Sequence, residues 1–96
     1  MFTHIVFFKF TEPKLQHAEE GKKLLLAMEG KIPELKELEV GVDLLHTGRS
    51  YDLALITRFD NQEDMDKYQV HPYHVNEVLA KLKPMLEGSA AVDFEV

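Results

Sequence analysis

Ninety-six residues suffice for one compact domain but not for two stable cores, and a chain this short buries only about 65% of the surface its unfolded form exposes, so a subunit interface would add needed core. Seventeen acids against eleven bases give a formal net charge of -6, which disfavours nucleic acid and anionic membrane surfaces and leaves small molecules or other proteins as partners. Cysteine is absent, which excludes disulfides, thiolate metal sites and thiol nucleophiles and fits a reducing, cytoplasmic setting.

The opening stretch MFTHIVFFKF has no basic region before its apolar run and no small-residue cleavage pattern after it, so a strand is expected and not a signal peptide. No run approaches the ~20 apolar residues of a membrane helix. Residues 2–10 carry apolar side chains on both period-two faces, Phe2, Val6, Phe8 and Phe10 against Ile5 and Phe7, so both faces should be covered. Thr11 and Pro13 announce a helix. From Leu15, the apolar positions Ala18, Leu25 and Met28 recur at helical spacing among Glu19, Glu20, Lys22 and Lys23, and the helix should end near Gly30.

Beyond Pro33, Leu38, Val40, Val42 and Leu44 alternate with Glu39, Gly41 and Asp43 as a half-buried second strand. His46 to Ser50 supply a turn. Tyr51, Leu53, Leu55, Thr57 and Phe59 then alternate with Asp52, Ala54, Ile56 and Arg58, which makes a hairpin. Asp60 with Glu63 resembles a capping box and opens a short helix through Met65 and Tyr68. Pro72 suits the first position of another helix, whose Val75, Val78, Leu79, Leu82 and Leu86 trace one stripe until Pro84 kinks or ends it. Gly88 and Ser89 make the last break. Ala90, Val92, Phe94 and Val96 alternate with Ala91, Asp93 and Glu95 as the final strand.

This order, β-α-β-β-α-β with the second helix split, predicts a single α+β domain over residues 1–96. It is the ferredoxin-like unit, in which helices cover one face of a four-stranded antiparallel sheet. If Phe2, Val6, Phe8 and Phe10 face the helices, then Ile5, Phe7, Leu45, Ala54, Ile56 and Ala91 fall on the other face, too many apolar groups to leave wet. Two such sheets meeting in a two-fold pair would bury them, so a homodimer is expected.

The chain resembles the stress-responsive dimeric α/β-barrel (Dabb) family. The resemblance lies in His4-Ile5-Val6-Phe7-Phe8-Lys9-Phe10, in Tyr51-Asp52-Leu53-Ala54-Leu55 with Phe59, in Tyr68-Gln69-Val70-His71-Pro72-Tyr73-His74, and in Val92-Asp93-Phe94-Glu95. It implies a ferredoxin-like protomer, a homodimeric barrel and a pocket between sheet and helices, without implying one activity. In the plant polyketide cyclases to which the chain is similar, the residues matching Tyr68 and His74 serve an intramolecular aldol closure. Helix one and strand three, which there contribute polar pocket groups, offer Leu25 and Leu53 here, which argues against a polyketide substrate.

His4 shares a strand face with Val6 and Phe8, where Tyr68 and His74 could meet it. The ligand-binding set expected is therefore His4, Val6, Phe8, Leu25, Leu53, Tyr68 and His74. If the protein is an enzyme, His74 is the candidate general base and Tyr68 the group that orients it or a substrate carbonyl. On the structural alternative, His4, Tyr68 and His74 satisfy one another and fix how the split helix docks. His71 and His74 sit three apart, near metal-ligand spacing, but His71 is expected to cap the helix and no third ligand is evident. His17 and His46 read as surface residues, and Arg49 and Arg58 as solubility or ion-pair residues. No metal and no cofactor is expected, because no phosphate loop, nucleophilic serine motif or dinucleotide fingerprint is present. Three functions remain in view: a dimeric barrel binding a small, mostly apolar or carbonyl-containing ligand; a cofactor-independent cyclase or lyase; and a structural stress protein with a filled core.

Overall fold

A computed structural model describes residues 1–96. The β-branched and aromatic run Phe2–Phe10 is extended throughout as β1, as such side chains favour. It sits inside a four-stranded sheet of order β2-β3-β1-β4, with β2 at Glu37–Val42, β3 at Leu53–Phe59 and β4 at Leu86–Glu95. All pairings are antiparallel. Helix α1 spans Lys14–Leu26 and α2 spans Gln62–Val70. A third helix, α3, runs over residues 73–85 as a π-helical stretch Tyr73–Leu79, an α-helical turn Ala80–Leu82 and a 3-10 turn Lys83–Met85. The connectivity is the ferredoxin-like β-α-β-β-α-β, with helices on one face.

Register decides which residues share the helix face, because directly opposed residues on neighbouring strands point the same way. Phe8 lies opposite Leu53 on β3, Val6 opposite Leu55 and His4 opposite Thr57, while on β4 Val6 meets Ala91 and His4 meets Asp93. The expectation that Ala91 belongs to the open face is therefore corrected: Ala91 and Asp93 share the helix side with Val6 and His4. The open side of β4 instead carries Ala90, Val92 and Phe94, opposite Phe7, Ile5 and Thr3. Leu45 is on neither face, since β2 stops at Val42 and Leu45 stands in a loop, exposed.

Phe10, Phe59, Leu53 and Leu55 from the sheet pack with Leu25 and Met28 near α1 and with Val78 and Leu82 of α3. Each such side chain contributes about 1.5–3 kcal/mol on burial. Gly21 of α1 allows the closest approach, because a Cβ there would stand 2.8 Å from Phe10 Cζ.

Several boundaries differ from the sequence expectations for identifiable reasons. Helix α1 ends at Leu26, and the following turns close at Gly30, whose φ of 77° suits glycine. Asn61, not Asp60, caps α2, its Oδ1 accepting the Asp64 N–H at 2.8 Å. Gly88 and Ser89 do not break the chain: they pair with Lys9 and Phe8 inside β4. In α3 the stripe drifts, because hydrogen bonds such as Ala80 N–H to Val75 O span five residues. His74, Val78, Leu82 and Met85 are buried, while Val75 is largely exposed. Pro84 does end the helix, inside its 3-10 turn.

Candidate functional site

Three elements bring the expected polar residues together beneath the helices. β1 presents His4, the last turns of α2 present Tyr68 and Gln69, and the start of α3 presents His74. His71 precedes Pro72 and its ring Nδ1 accepts the Tyr73 N–H at 3.1 Å. The first turn of α3 is thereby fixed, and His74 turns inward.

Tyr68 is the centre of the cluster and is 1% exposed. Its ring packs 5.0 Å from Phe59, 4.4 Å from the His74 ring and 6.3 Å from the His4 ring, centroid to centroid. Its hydroxyl has no hydrogen-bond partner in the protein. Burial pushes the phenol far above its usual range, so it stays protonated.

His74 is 5% exposed, and its Nδ1–H donates to the Gln69 carbonyl at 3.1 Å. A carbonyl can only accept, so this bond fixes the tautomer and leaves Nε2 as a bare lone pair. Burial holds the ring below the usual histidine range. The bond to the Gln69 carbonyl is the next largest influence and opposes burial, while the proximity of His4, His71 and Lys83 adds smaller effects in the same direction as burial. Desolvation is the leading cause that keeps this imidazole neutral.

His4 is held from both sides. Its Nδ1–H donates to the carboxylate of half-exposed Asp93, and its Nε2 accepts from the Gln69 side-chain amide at 3.3 Å. Asp93 and Gln69 did not stand out in the sequence. Asp93 needed the β1–β4 register to be placed on the helix face, and Gln69 only shows its role once α2 is docked.

His4, Tyr68, Gln69 and His74 border a cavity of about 210 Å³ between sheet and helices. Of the expected ligand-binding residues, His4, Val6, Phe8, Leu25, Tyr68 and His74 line it. Leu53 does not. It pairs with Phe8 and Val42 nearer the end of the sheet, and Leu55, opposite Val6 and Val40, takes its place. The rest of the wall is apolar, with Val78 and Leu82 from α3.

A larger hollow of about 370 Å³ lies against the open sheet face, bordered by Phe7, Gly41, Asp43, Arg49, Tyr51 and Ala54. It contains no histidine and no buried orphan group. The other candidates are structural: His17 Nδ1–H donates to Thr11 O at 2.8 Å and ties α1 to the end of β1, and Arg58 pairs with Glu37 at 3.8 Å.

The model of the stress responsive A/B barrel domain, Dabb, matches residues 2–96 of the chain. The protein belongs to the Dabb family. Comparison with curated proteins returned no match. Among solved structures, a dimeric ferredoxin-like protein of unknown function from Thermobifida fusca yx is 31% identical with a TM-score of 0.85, over 99% of this Dabb chain and 90% of that one. A dimeric ferredoxin-like protein from Bacteroides fragilis is 32% identical with a TM-score of 0.81, over 99% and 95%. A hydroxynitrile lyase from Passiflora edulis, 17% identical with a TM-score of 0.74 over 99% and 92%, shares the fold with this Dabb chain.

Proposed function

We propose that this chain is a single-domain, homodimeric, cytoplasmic Dabb protein whose cavity binds a small, mostly apolar molecule bearing a carbonyl oxygen. The buried Tyr68 hydroxyl without a partner carries this reading. Leaving such a donor unpaired costs about 1–3 kcal/mol, and a ligand acceptor beside it would recover that cost. A filled core would give Tyr68 a protein partner. The apolar open face and the description of the two most similar relatives named above as dimeric support the pairing of protomers. Acetophenone titrated by calorimetry tests the site. Binding that weakens about 10-fold in Tyr68→Phe supports the reading, and equal binding by both proteins removes the hydroxyl from it.

A second reading, a cofactor-independent lyase or cyclase, is favoured by the bare Nε2 of neutral His74 in the same cavity. A neutral imidazole beside a carbonyl held by Tyr68 is arranged to take a proton from the neighbouring carbon. The test is exchange of the acetophenone methyl protons in D₂O, followed by NMR. Catalysed exchange that falls about 10²- to 10⁴-fold in His74→Ala supports this reading, and exchange no faster than in buffer removes it.

A further inference from the structure

We propose that Gln69 is the specificity-determining residue of the cavity, and that it selects small neutral molecules carrying a hydroxyl as well as a carbonyl. This rests on the reading of the cavity as a carbonyl site and adds the second half of the ligand.

His4 sets the orientation of Gln69. Its Nδ1–H is committed to the Asp93 carboxylate, and the Gln69 amide nitrogen, which can only donate, stands 3.3 Å from its Nε2, so Nε2 accepts. The same Gln69 nitrogen contacts Met65 Sδ at 3.4 Å, a weak acceptor. Both amide hydrogens are thereby spent. The Gln69 Oε1, with two lone pairs, accepts no hydrogen bond from the protein. Tyr68 and Gln69, adjacent residues of α2, both line the cavity, so the buried Tyr68 O–H without a partner stands beside a residue whose amide oxygen receives no protein donor. A simple ketone satisfies only the first. A hydroxyl on the same molecule satisfies the second.

Charge and size narrow the class further. No lysine or arginine borders the cavity, and the Asp93 carboxylate stands behind His4, so an anionic ligand would be desolvated without a counter-charge. A volume of about 210 Å³ exceeds the ~150 Å³ of a cavity that takes benzene. It falls short of the ~300 Å³ at which pockets for drug-sized ligands begin. One ring with two short substituents matches that space.

The experiment is calorimetry on the whole chain with acetophenone, 4-ethylphenol, 3- and 4-hydroxyacetophenone, and 4-hydroxybenzoate. At least one hydroxyacetophenone is expected to bind about 10-fold more tightly than acetophenone and 4-ethylphenol, the scale of one well-placed hydrogen bond, and 4-hydroxybenzoate to bind more weakly than either. In Gln69→Met, which keeps the length and removes the acceptor, the advantage of the hydroxyl should shrink to about twofold or less. A hydroxyl advantage that survives Gln69→Met overturns the assignment to Gln69. Acetophenone binding that depends on Tyr68 with no hydroxyl advantage overturns this proposal alone. Failure of acetophenone and both hydroxyacetophenones to bind overturns the carbonyl reading and this proposal with it. Should Gln69→Met not fold, Gln69→Leu and the wild-type series make the same decision.

Discussion

At the scale of single residues, Tyr68 links stability to function in opposite directions. Its hydroxyl is buried without a partner, so removing it relieves a cost of about 1–3 kcal/mol in the empty protein. Tyr68→Phe is therefore expected to raise the urea midpoint of the ligand-free protein while weakening acetophenone binding; a variant destabilised by a kcal/mol or more would mean that the hydroxyl is satisfied inside the fold. His74 gives a pH signature. Burial holds its folded pKa below the unfolded value of about 6.5. Between those two values the unfolded chain binds the proton and the folded chain does not. Its contribution to stability is thus complete above about 6.5 and is lost as pH falls toward the folded value. Thermal melts at about pH 7.5 and about pH 5 should show a larger drop for wild type than for His74→Asn, and equal drops would contradict a buried neutral ring.

At the scale of elements, most of the fold was legible because its signals are local. The alternation in β1 and β3, the turn residues between β2 and β3, and Pro72 and Pro84 at either end of α3 all act over a few positions. What could not be read is what depends on partners distant in sequence. The parity of β4 follows from the pairing of Ala91 with Val6, which no residue in β4 announces. The exchange of Leu53 for Leu55 at the cavity is the same effect, a difference of one layer along the sheet. His4, Tyr68 and His74 were recognisable from residue type and family resemblance, whereas Gln69 and Asp93 acquire their roles only through docking of α2 and pairing of β4. Gly21 also escaped notice, since its reason is the Phe10 ring beneath it. Gly21→Ala gains about 1 kcal/mol of helix propensity but drives a methyl against a fully buried ring and Leu82, which costs about 1–3 kcal/mol. A net loss of about 1 kcal/mol in urea unfolding is expected, and a stabilised variant would show that Phe10 yields freely.

At the scale of the molecule, one sheet face is covered by helices and the other shows Phe7, Val92 and Phe94 to solvent, with Phe7 40% exposed. No helix is long and apolar enough to cross a membrane. A second copy of the chain would cover this face with an equally apolar one. Phe7→Asp should convert the dimer to monomer in sedimentation velocity by placing an unpaired charge in the interface; a wild-type monomer at micromolar concentration would contradict the pairing. The cavity lies on the opposite side of the sheet, beside Val6 and His4, so ligand binding and dimerisation are expected to be separable. A crystal structure of the protein with acetophenone decides whether the Tyr68 cavity is the binding site. The carbonyl oxygen is expected about 2.5–3.0 Å from the Tyr68 hydroxyl oxygen, with the ring against Leu25, Leu55 and Val78; a well-ordered acetophenone seated in the open-face hollow beside Tyr51, with the Tyr68 hydroxyl untouched, would rule the Tyr68 site out.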